Sequence, residues 1–266
     1  MKIYISADIE GISGVTHWDE TEKSKADHKY YADEMTREVE AACIGAIEAG
    51  ASEIYVKDAH DSGRNIDHSK LPKQVKLIRG WSGHPFSMVQ RLDESFDSAI
   101  FIGYHSYSSS SGNPLSHTMN PKLVDYIKIN DEFASEFLIH GYVASYVGVP
   151  VSFVSGDKEL TNHIKTYNSN ILTLALKEGI GKSTTNIHPQ LAYELTKSMT
   201  KDSLKSNLKA QLLELPSRFK VEINYKNHFD AYRYSFYPGA KKISDTAILF
   251  ETDDYFEVLR MMNFTI

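Results

Sequence analysis

The sequence of 266 residues has only one cysteine, Cys43, so one chain cannot contain a disulfide framework. It has no apolar run near the roughly 20 residues that a membrane-spanning helix needs, and its opening apolar run is too short for a secretory signal. Basic runs are also missing, and 29 Lys and Arg against 35 Asp and Glu leave a net charge of -6. We therefore expect a cytoplasmic protein that binds neither nucleic acid nor an anionic membrane.

Short β-rich runs alternate with amphipathic helical segments. Residues 1–8 and 53–60 have the pattern of buried strands, and residues 27–49 between them place apolar side chains at helical spacing. A strand, a helix and a strand in this order favour a parallel sheet with right-handed crossovers. We predict an α/β fold, with a mostly parallel sheet sandwiched by helices, in residues 1–180, and a smaller α+β unit in residues 181–266.

Acidic and histidine side chains follow three of the predicted strands. Asp8 and Glu10 end the first strand, where side chains two residues apart share a face and could converge on one cation. Asp58 and His60 end the second strand, and His105 ends the third. In parallel sheets, ligands bind beyond the carboxyl ends of the strands. We therefore expect these side chains in one crevice, as a candidate metal site.

The available ligands are carboxylates and imidazoles without thiolate, which favour zinc, manganese, iron or cobalt over calcium and magnesium. A further candidate is Glu136, in a largely apolar stretch at residues 131–147 that we predict to be a helix. A buried carboxylate without a partner is costly, so we expect a cation or a donor beside it. Glu136 and His140 are also four residues apart, and spacing leaves open that they form a separate ligand pair on the helix.

Six short motifs carry a resemblance to one family of peptidases. They are Ser6-x-Asp8-x-Glu10-Gly11, Asp58-Ala-His60, Pro85-Phe-Ser-Met88, Gly103-Tyr-His105, Ser116-His117-Thr-Met119 and Val154-Ser-Gly-Asp157. In this order they are similar to the D-aminopeptidase family of dinuclear zinc peptidases, the dipeptide-transport-operon type. The resemblance runs from residue 1 to about residue 160 and continues more loosely towards the C-terminus.

The resemblance implies two zinc ions per subunit. The ligands it implies are Asp8 bridging both ions, Glu10 and His60 at one ion, and His105 and Glu136 at the other. His117 resembles the family's catalytic histidine, which lies beside the metals rather than on them. One departure concerns the substrate pocket, because Ser135 and Phe137 flank Glu136 where the family has glycines.

The resemblance also implies the reaction. Paired metal ions activate a water and polarise the scissile carbonyl, and a histidine whose pKa is about 6.5 can accept or supply a proton. We predict a zinc-dependent aminopeptidase that removes the N-terminal residue from short peptides or amino-acid amides. A preference for D-residues rests on the resemblance alone.

Two functions of other classes remain open at the level of sequence. A two-metal phosphoesterase would use the same types of ligand, but phosphate favours an arginine clamp or a glycine-rich cradle, and only Arg64 and Arg79 are near. A non-catalytic module that binds small molecules could use the same crevice.

The resemblance finally implies a ring-like homo-oligomer that admits only short peptides. Aromatic residues are frequent in residues 232–237 and 250–256 and could bury surface between subunits, because aromatic side chains favour interface cores. The same side chains could instead pack the smaller unit.

Overall fold

The computed structural model describes residues 1–266, in which twelve strands and six α-helices form. In chain order the strands are β1 (Lys2–Ala7), β2 (Glu53–Asp58), β3 (Val75–Ile78), β4 (Ser98–Tyr104), β5 (Val124–Ile129), β6 (Glu132–Phe133), β7 (Val151–Asp157), β8 (Leu172–Ile180), β9 (Ser183–Asn186), β10 (Phe219–Tyr225), β11 (Lys241–Lys242) and β12 (Ala247–Thr252). The helices are α1 (His28–Glu48), α2 (Glu136–Tyr146), α3 (Lys158–Tyr167), α4 (Pro189–Ser203), α5 (His228–Tyr234) and α6 (Tyr255–Thr265). None of the helices combines the length and the apolar character needed to cross a membrane.

Seven strands form the main sheet in the order β3-β2-β1-β4-β7-β8-β9, and all neighbours are parallel except β8 and β9. Side chains of β1 alternate between its faces, so Ile3 and Ile5 join one core cluster and Tyr4 joins the other. Met35 and Val39 of α1 cover the first face, and α4 packs beside α1. Helices α2 and α3 and the second sheet cover the other face. This arrangement confirms the predicted α/β fold.

The second sheet is antiparallel, in the order β11-β12-β10-β5-β6. Its β5–β6 hairpin shows that the helix predicted over residues 131–147 is too long. Residues 131–147 are not one helix, because Asn130 and Asp131 both have positive φ and form a tight turn between β5 and β6. Two such residues in succession are typical of a hairpin turn that matches the twist of its strands. Ser135 then caps α2, its hydroxyl oxygen accepting from the Leu138 N–H. Helix α2 therefore begins only at Glu136.

The sheets divide the chain differently from the predicted units at residues 1–180 and 181–266. Strand β9 pairs with β8 in the main sheet, and α4 packs against α1. Strands β5 and β6, from the first unit, belong to the same sheet as β10 and β12 of the second. The predicted boundary thus lies inside the β8–β9 hairpin, and the division into two domains stays a prediction.

Candidate metal centre

The crevice lies where β1, β2 and β4 end, because these parallel strands are neighbours in the main sheet. The chain leaves β1 through Gly11, whose N–H donates to the Gly103 carbonyl oxygen at 2.7 Å. A Cβ atom at Gly11 would lie 1.9 Å from the carbonyl oxygen of Tyr104, so only glycine fits this exit. The crevice opens into a cavity of about 1080 Å³, whose lining includes Asp8, Glu10, His60, His117 and Glu136.

The first ligand group consists of Asp8, Glu10 and His60, all of them buried. Nδ1 of His60 lies 3.3 Å from Oδ1 of Asp8 and 3.1 Å from Oε2 of Glu10. Nε2 of the same ring donates to the Thr21 carbonyl oxygen at 2.9 Å. A hydrogen bond at one ring nitrogen fixes the tautomer and leaves the other nitrogen free for a metal. The group therefore presents one nitrogen and two carboxylates to a common point.

The second ligand group consists of His105, His117 and Glu136. Nε2 of His105 lies 3.4 Å from Oε2 of Glu136, and Nε2 of His117 lies 3.5 Å from Oε1. Each histidine donates from Nδ1 to a main-chain carbonyl oxygen, that of Ser106 for His105 and that of Leu115 for His117. The rings are stacked with their centroids 4.3 Å apart. His105 is completely buried, whereas His117 lines the cavity.

The carboxylate of Asp8 connects the two groups. Its Oδ1 faces His60, while its Oδ2 lies 3.6 Å from Nε2 of His105. The Ile9 N–H donates to Oδ1 at 2.9 Å and helps to fix this orientation. The structure thus brings together all six side chains predicted for the site, namely Asp8, Glu10, His60, His105, His117 and Glu136.

Three buried polar atoms of the crevice have no hydrogen-bond partner, namely Oδ2 of Asp8, Oε2 of Glu10 and Nε2 of His105. An unsatisfied buried polar atom costs roughly 1–3 kcal/mol, so such atoms normally have a partner. Carboxylate oxygens and imidazole nitrogens without thiolate are ligands of zinc and related transition ions. The unpaired atoms and the donor set therefore fit a metal centre.

The pKa values of the side chains in the crevice show that positive charge is favoured there. Burial and the nearby Glu10 raise the pKa of Asp8 well above its usual value. Burial alone would lower the pKa of His105, but Glu136 and Asp8 raise it to about 10. The pKa of His60 is also raised despite its burial, because Glu10 and Asp8 lie beside it. The carboxylates thus favour cations here, either protons on the imidazoles or metal ions.

The whole chain is similar to one family of known proteins. The profile of peptidase family M55, described as D-aminopeptidase, matches residues 1–264. The chain belongs to the D-aminopeptidase family. It is 32% identical over 264 residues to the D-aminopeptidase of Bacillus subtilis (strain 168). This alignment covers 98% of this chain and 95% of that relative.

A solved structure supports the same membership. It is the Zn-dependent D-aminopeptidase DppA from Bacillus subtilis, described as a self-compartmentalizing protease. The TM-score is 0.93 at 30% identity, and the match covers 100% of this chain and 96% of that chain. The predicted resemblance and the predicted class of enzyme, a metal-dependent aminopeptidase, are therefore confirmed.

Two side chains considered for the metal centre lie outside both ligand groups. Asp58 accepts hydrogen bonds from the main-chain N–H groups of Asn65 and Ile66, so it holds the loop after β2 instead of facing the crevice. His140 donates from Nδ1 to the main-chain carbonyl oxygen of Glu136 at 2.7 Å. Burial lowers the pKa of His140 to about 4, so its ring is neutral. The Glu136 side chain points away from His140 to the second group, and the helical ligand pair does not form.

Buried polar residues behind the candidate metal centre hold its loops. Asp157 caps α3 by accepting from the Leu160 N–H at 2.8 Å. Its Oδ2 also accepts from the Ser106 N–H at 2.7 Å and from Nδ2 of Asn113 at 3.2 Å. Asn113 donates in turn to the Glu10 carbonyl oxygen at 3.0 Å. Asp157 therefore ties the loop after β4 to the end of β1.

Lys177 is a second supporting residue, and it was not predicted. Its buried ammonium donates to the carbonyl oxygens of Glu10 and Val15, on both sides of the turn that follows β1. Burial lowers the pKa of Lys177 to about 8, and a buried cation is tolerated only where hydrogen bonds compensate it. The sequence signal for this role is that Lys177 directly follows the largely apolar run 172–176 within β8.

Replacing Lys177 with methionine should weaken metal binding. The substitution keeps most of the length of the side chain but removes its ammonium. The Val15 carbonyl then loses this donor and the Glu10 carbonyl keeps only the Asn113 amide, which loosens the turn that carries Glu10. Residues that orient metal ligands typically contribute about ten- to a hundredfold to metal affinity, and we expect a loss of about that size. Competition with a chromophoric zinc chelator measures it.

The matched control for Lys177→Met is Tyr255→Phe, because the buried Tyr255 hydroxyl also donates to a main-chain carbonyl oxygen, that of Ile139, but contacts no residue of either ligand group. The control should keep its zinc affinity. An unchanged affinity in folded Lys177→Met would show that the turn after β1 does not depend on this ammonium.

Proposed function

We propose that the protein is a zinc-dependent aminopeptidase with two zinc ions per subunit, acting on short peptides with a D-residue at the N-terminus. The observation that carries the proposal is the Asp8 carboxylate, whose two oxygens face His60 and His105 in separate groups. Zinc and D-residues are supported by the Bacillus subtilis protein, described as a Zn-dependent D-aminopeptidase. The proposed ligands are Asp8, shared by both ions, Glu10 and His60 at one ion, and His105 and Glu136 at the other.

Zinc ions bound in this way would lower the pKa of a water molecule and polarise the scissile carbonyl. The proposed proton carrier is His117. Its Nδ1–H donates to the Leu115 carbonyl oxygen at 2.8 Å, which leaves Nε2 as the acceptor facing the cavity. Burial and the neighbouring His105 lower the pKa of His117, so the ring is neutral and ready to accept a proton. It can then pass that proton to the leaving amine.

Metal content should separate the ligands from His117. The wild-type chain should carry about two zinc ions, and Asp8→Ala should lose both, because both groups use this carboxylate. His117→Ala should keep its zinc while kcat falls by about a hundredfold or more, as expected for a general acid or base. Elemental analysis together with steady-state kinetics makes the comparison. Wild-type protein that stays free of zinc would refute the centre, and loss of zinc from His117→Ala would make this residue a ligand.

A free amino terminus should be required for cleavage. Glu22 and Asp61 line the cavity on the side of His60, and a carboxylate is a favourable partner for an ammonium group. A hydrogen bond to a charged group contributes about 1.5–3 kcal/mol, so N-acetylated peptides should be cleaved at least about tenfold more slowly than free peptides. Chromatographic assay of matched pairs tests this. Equal cleavage of blocked peptides would contradict an aminopeptidase.

The two alternative functions receive less support. Phosphate favours arginine, yet no arginine lines the cavity, and Arg64 and Arg79 are exposed outside it. Membership of a peptidase family argues against a non-catalytic binding module. Release of phosphate from a simple phosphoester without any turnover of peptides would reverse this preference.

We also propose a ring-like homo-oligomer, since the Bacillus subtilis protein is described as self-compartmentalizing. Tyr232 and Phe236 are 60% and 69% exposed, and their ring centroids lie 5.2 Å apart, so they form a joint apolar patch. Exposed patches of this kind often mark protein interfaces. Within residues 250–256, in contrast, Phe250 and Tyr255 are buried in the core. The cytoplasmic location stays a prediction.

The assembly proposal is tested by the mass of the protein in solution. Light scattering should give a multiple of the 30.1 kDa chain mass, and the double substitution Tyr232→Glu, Phe236→Glu should reduce it, because charges would have to be buried at the interface. A wild-type monomer with full activity would contradict the ring.

A further inference from the structure

The cavity is lined by charged side chains of both signs. Among the residues that line it, Lys122 and Lys226 are the only lysines and there is no arginine. Its acidic residues outside the two ligand groups are Glu22 and Asp61. Asp61 directly follows His60, and Glu22 directly follows the residue whose carbonyl oxygen accepts from the His60 ring. Acidic side chains therefore lie beside the first ligand group, and the two lysines of the cavity come from other segments of the chain.

The main chain places Lys122 close to the second ligand group. Met119, two residues after His117, donates its N–H to Oε1 of Glu136 at 2.7 Å. Lys122 follows three residues later, and because a residue spans at most about 3.6 Å, its main chain lies within about 11 Å of Met119. Lys122 thus lies on the same short segment as His117 and Met119, and the lysines line one cavity together with Glu22, Asp61 and the metal centre.

The second lysine is held against the same turn. Lys226 donates from its main-chain N–H to the Leu123 carbonyl oxygen at 3.0 Å and from its ammonium to the Pro121 carbonyl oxygen. Oδ1 of Asn120 accepts from the Lys122 N–H at 3.1 Å and tightens the turn. The pairing of β10 with β5 shifts register at the end of β10, an irregularity that can re-aim a side chain near an active site. Lys226 is therefore held against the turn that carries Lys122, and both lysines line the cavity.

We propose that Lys122 and Lys226 bind the C-terminal carboxylate of the substrate, so that the enzyme selects short peptides with a free carboxyl end over amides of the same residues. The inference rests on the proposed aminopeptidase function and adds the group recognised at the far end of the substrate. A carboxylate between two ammonium groups gains charge-assisted hydrogen bonds. Both lysines are exposed, so the contact is weakened by salt.

The test compares dialanine with dialanine amide, in the D and L forms, as substrates of the zinc-loaded enzyme. The same peptide bond is cleaved in both, so the ratio of their kcat/KM values isolates the carboxyl end. The wild type should prefer the free acid by about three- to tenfold, the range that two exposed charge pairs can provide. The preference should shrink as ionic strength rises, because added salt screens exposed charges.

The double variant Lys122→Met, Lys226→Met should lose the preference by turning over the acid more slowly while the amide is unaffected. The matched control is Lys220→Met, since Lys220 lies on β10 outside the cavity and pairs with Asp131. It should keep the wild-type preference. Its zinc content and that of the double variant should equal the wild type.

Three outcomes would overturn the inference. Equal turnover of acid and amide by the wild type would remove carboxylate recognition while leaving the aminopeptidase intact. A preference that persists in the double variant would show that other groups read the carboxyl end. Turnover of neither substrate by zinc-loaded enzyme would refute the proposed function, and carboxylate recognition with it. The series in salt needs no variant, so the inference is tested even if the double variant fails to fold.

Discussion

Three carboxylates buried in one crevice, those of Asp8, Glu10 and Glu136, form the constraint on which the rest of the structure depends. Like charges repel strongly where water is excluded, so these groups cannot all stay ionised unless positive charge lies beside them. The pKa values of His60 and His105 are raised because the carboxylates favour the protonated, positively charged imidazoles. Cations satisfy it, and the proposed zinc ions would do so at fixed positions. A surrounding fold must nevertheless hold the carboxylates together, and this requirement explains the polar groups packed behind them.

Both sheets contribute to this support. The parallel sheet brings Asp8 and His60 together because β1 and β2 are neighbours, while the β5–β6 hairpin and the cap of α2 set Glu136 over the end of β4. Asp157, at the end of β7, binds the loop after β4 through the Ser106 N–H. Lys177 of β8 binds the turn after β1 through the Glu10 and Val15 carbonyl oxygens. The centre therefore depends on elements of both sheets. Neither sheet alone supplies both ligand groups.

Much of this centre can be predicted from the sequence, because strand periodicity and parallel topology place Asp8, Glu10, His60 and His105 at one sheet edge. The rest depends on loops. Asp58 has the same pattern as His60, yet the following loop folds back and satisfies its carboxylate with main-chain N–H groups. Similarly, the β5–β6 turn shortens the predicted helix and sets the start of α2. Local spacing reports which residues end a strand, but the path of the next loop decides which of them face the crevice.

The charges of the cavity bear on a problem that every aminopeptidase must solve, which is the direction of the bound peptide. Both ends of a short peptide are charged, and its backbone offers similar hydrogen bonds in either direction. If Glu22 and Asp61 contact the amino end and Lys122 and Lys226 bind the carboxyl end as proposed, a reversed peptide would meet a like charge at each terminus. A peptide bound in the reverse direction would lose two attractive contacts and gain two repulsive ones. The free-energy difference between the two directions would therefore exceed the contribution of either terminus alone. The same contacts would also disfavour long peptides, whose carboxyl end would lie away from the lysines while the amino end is bound.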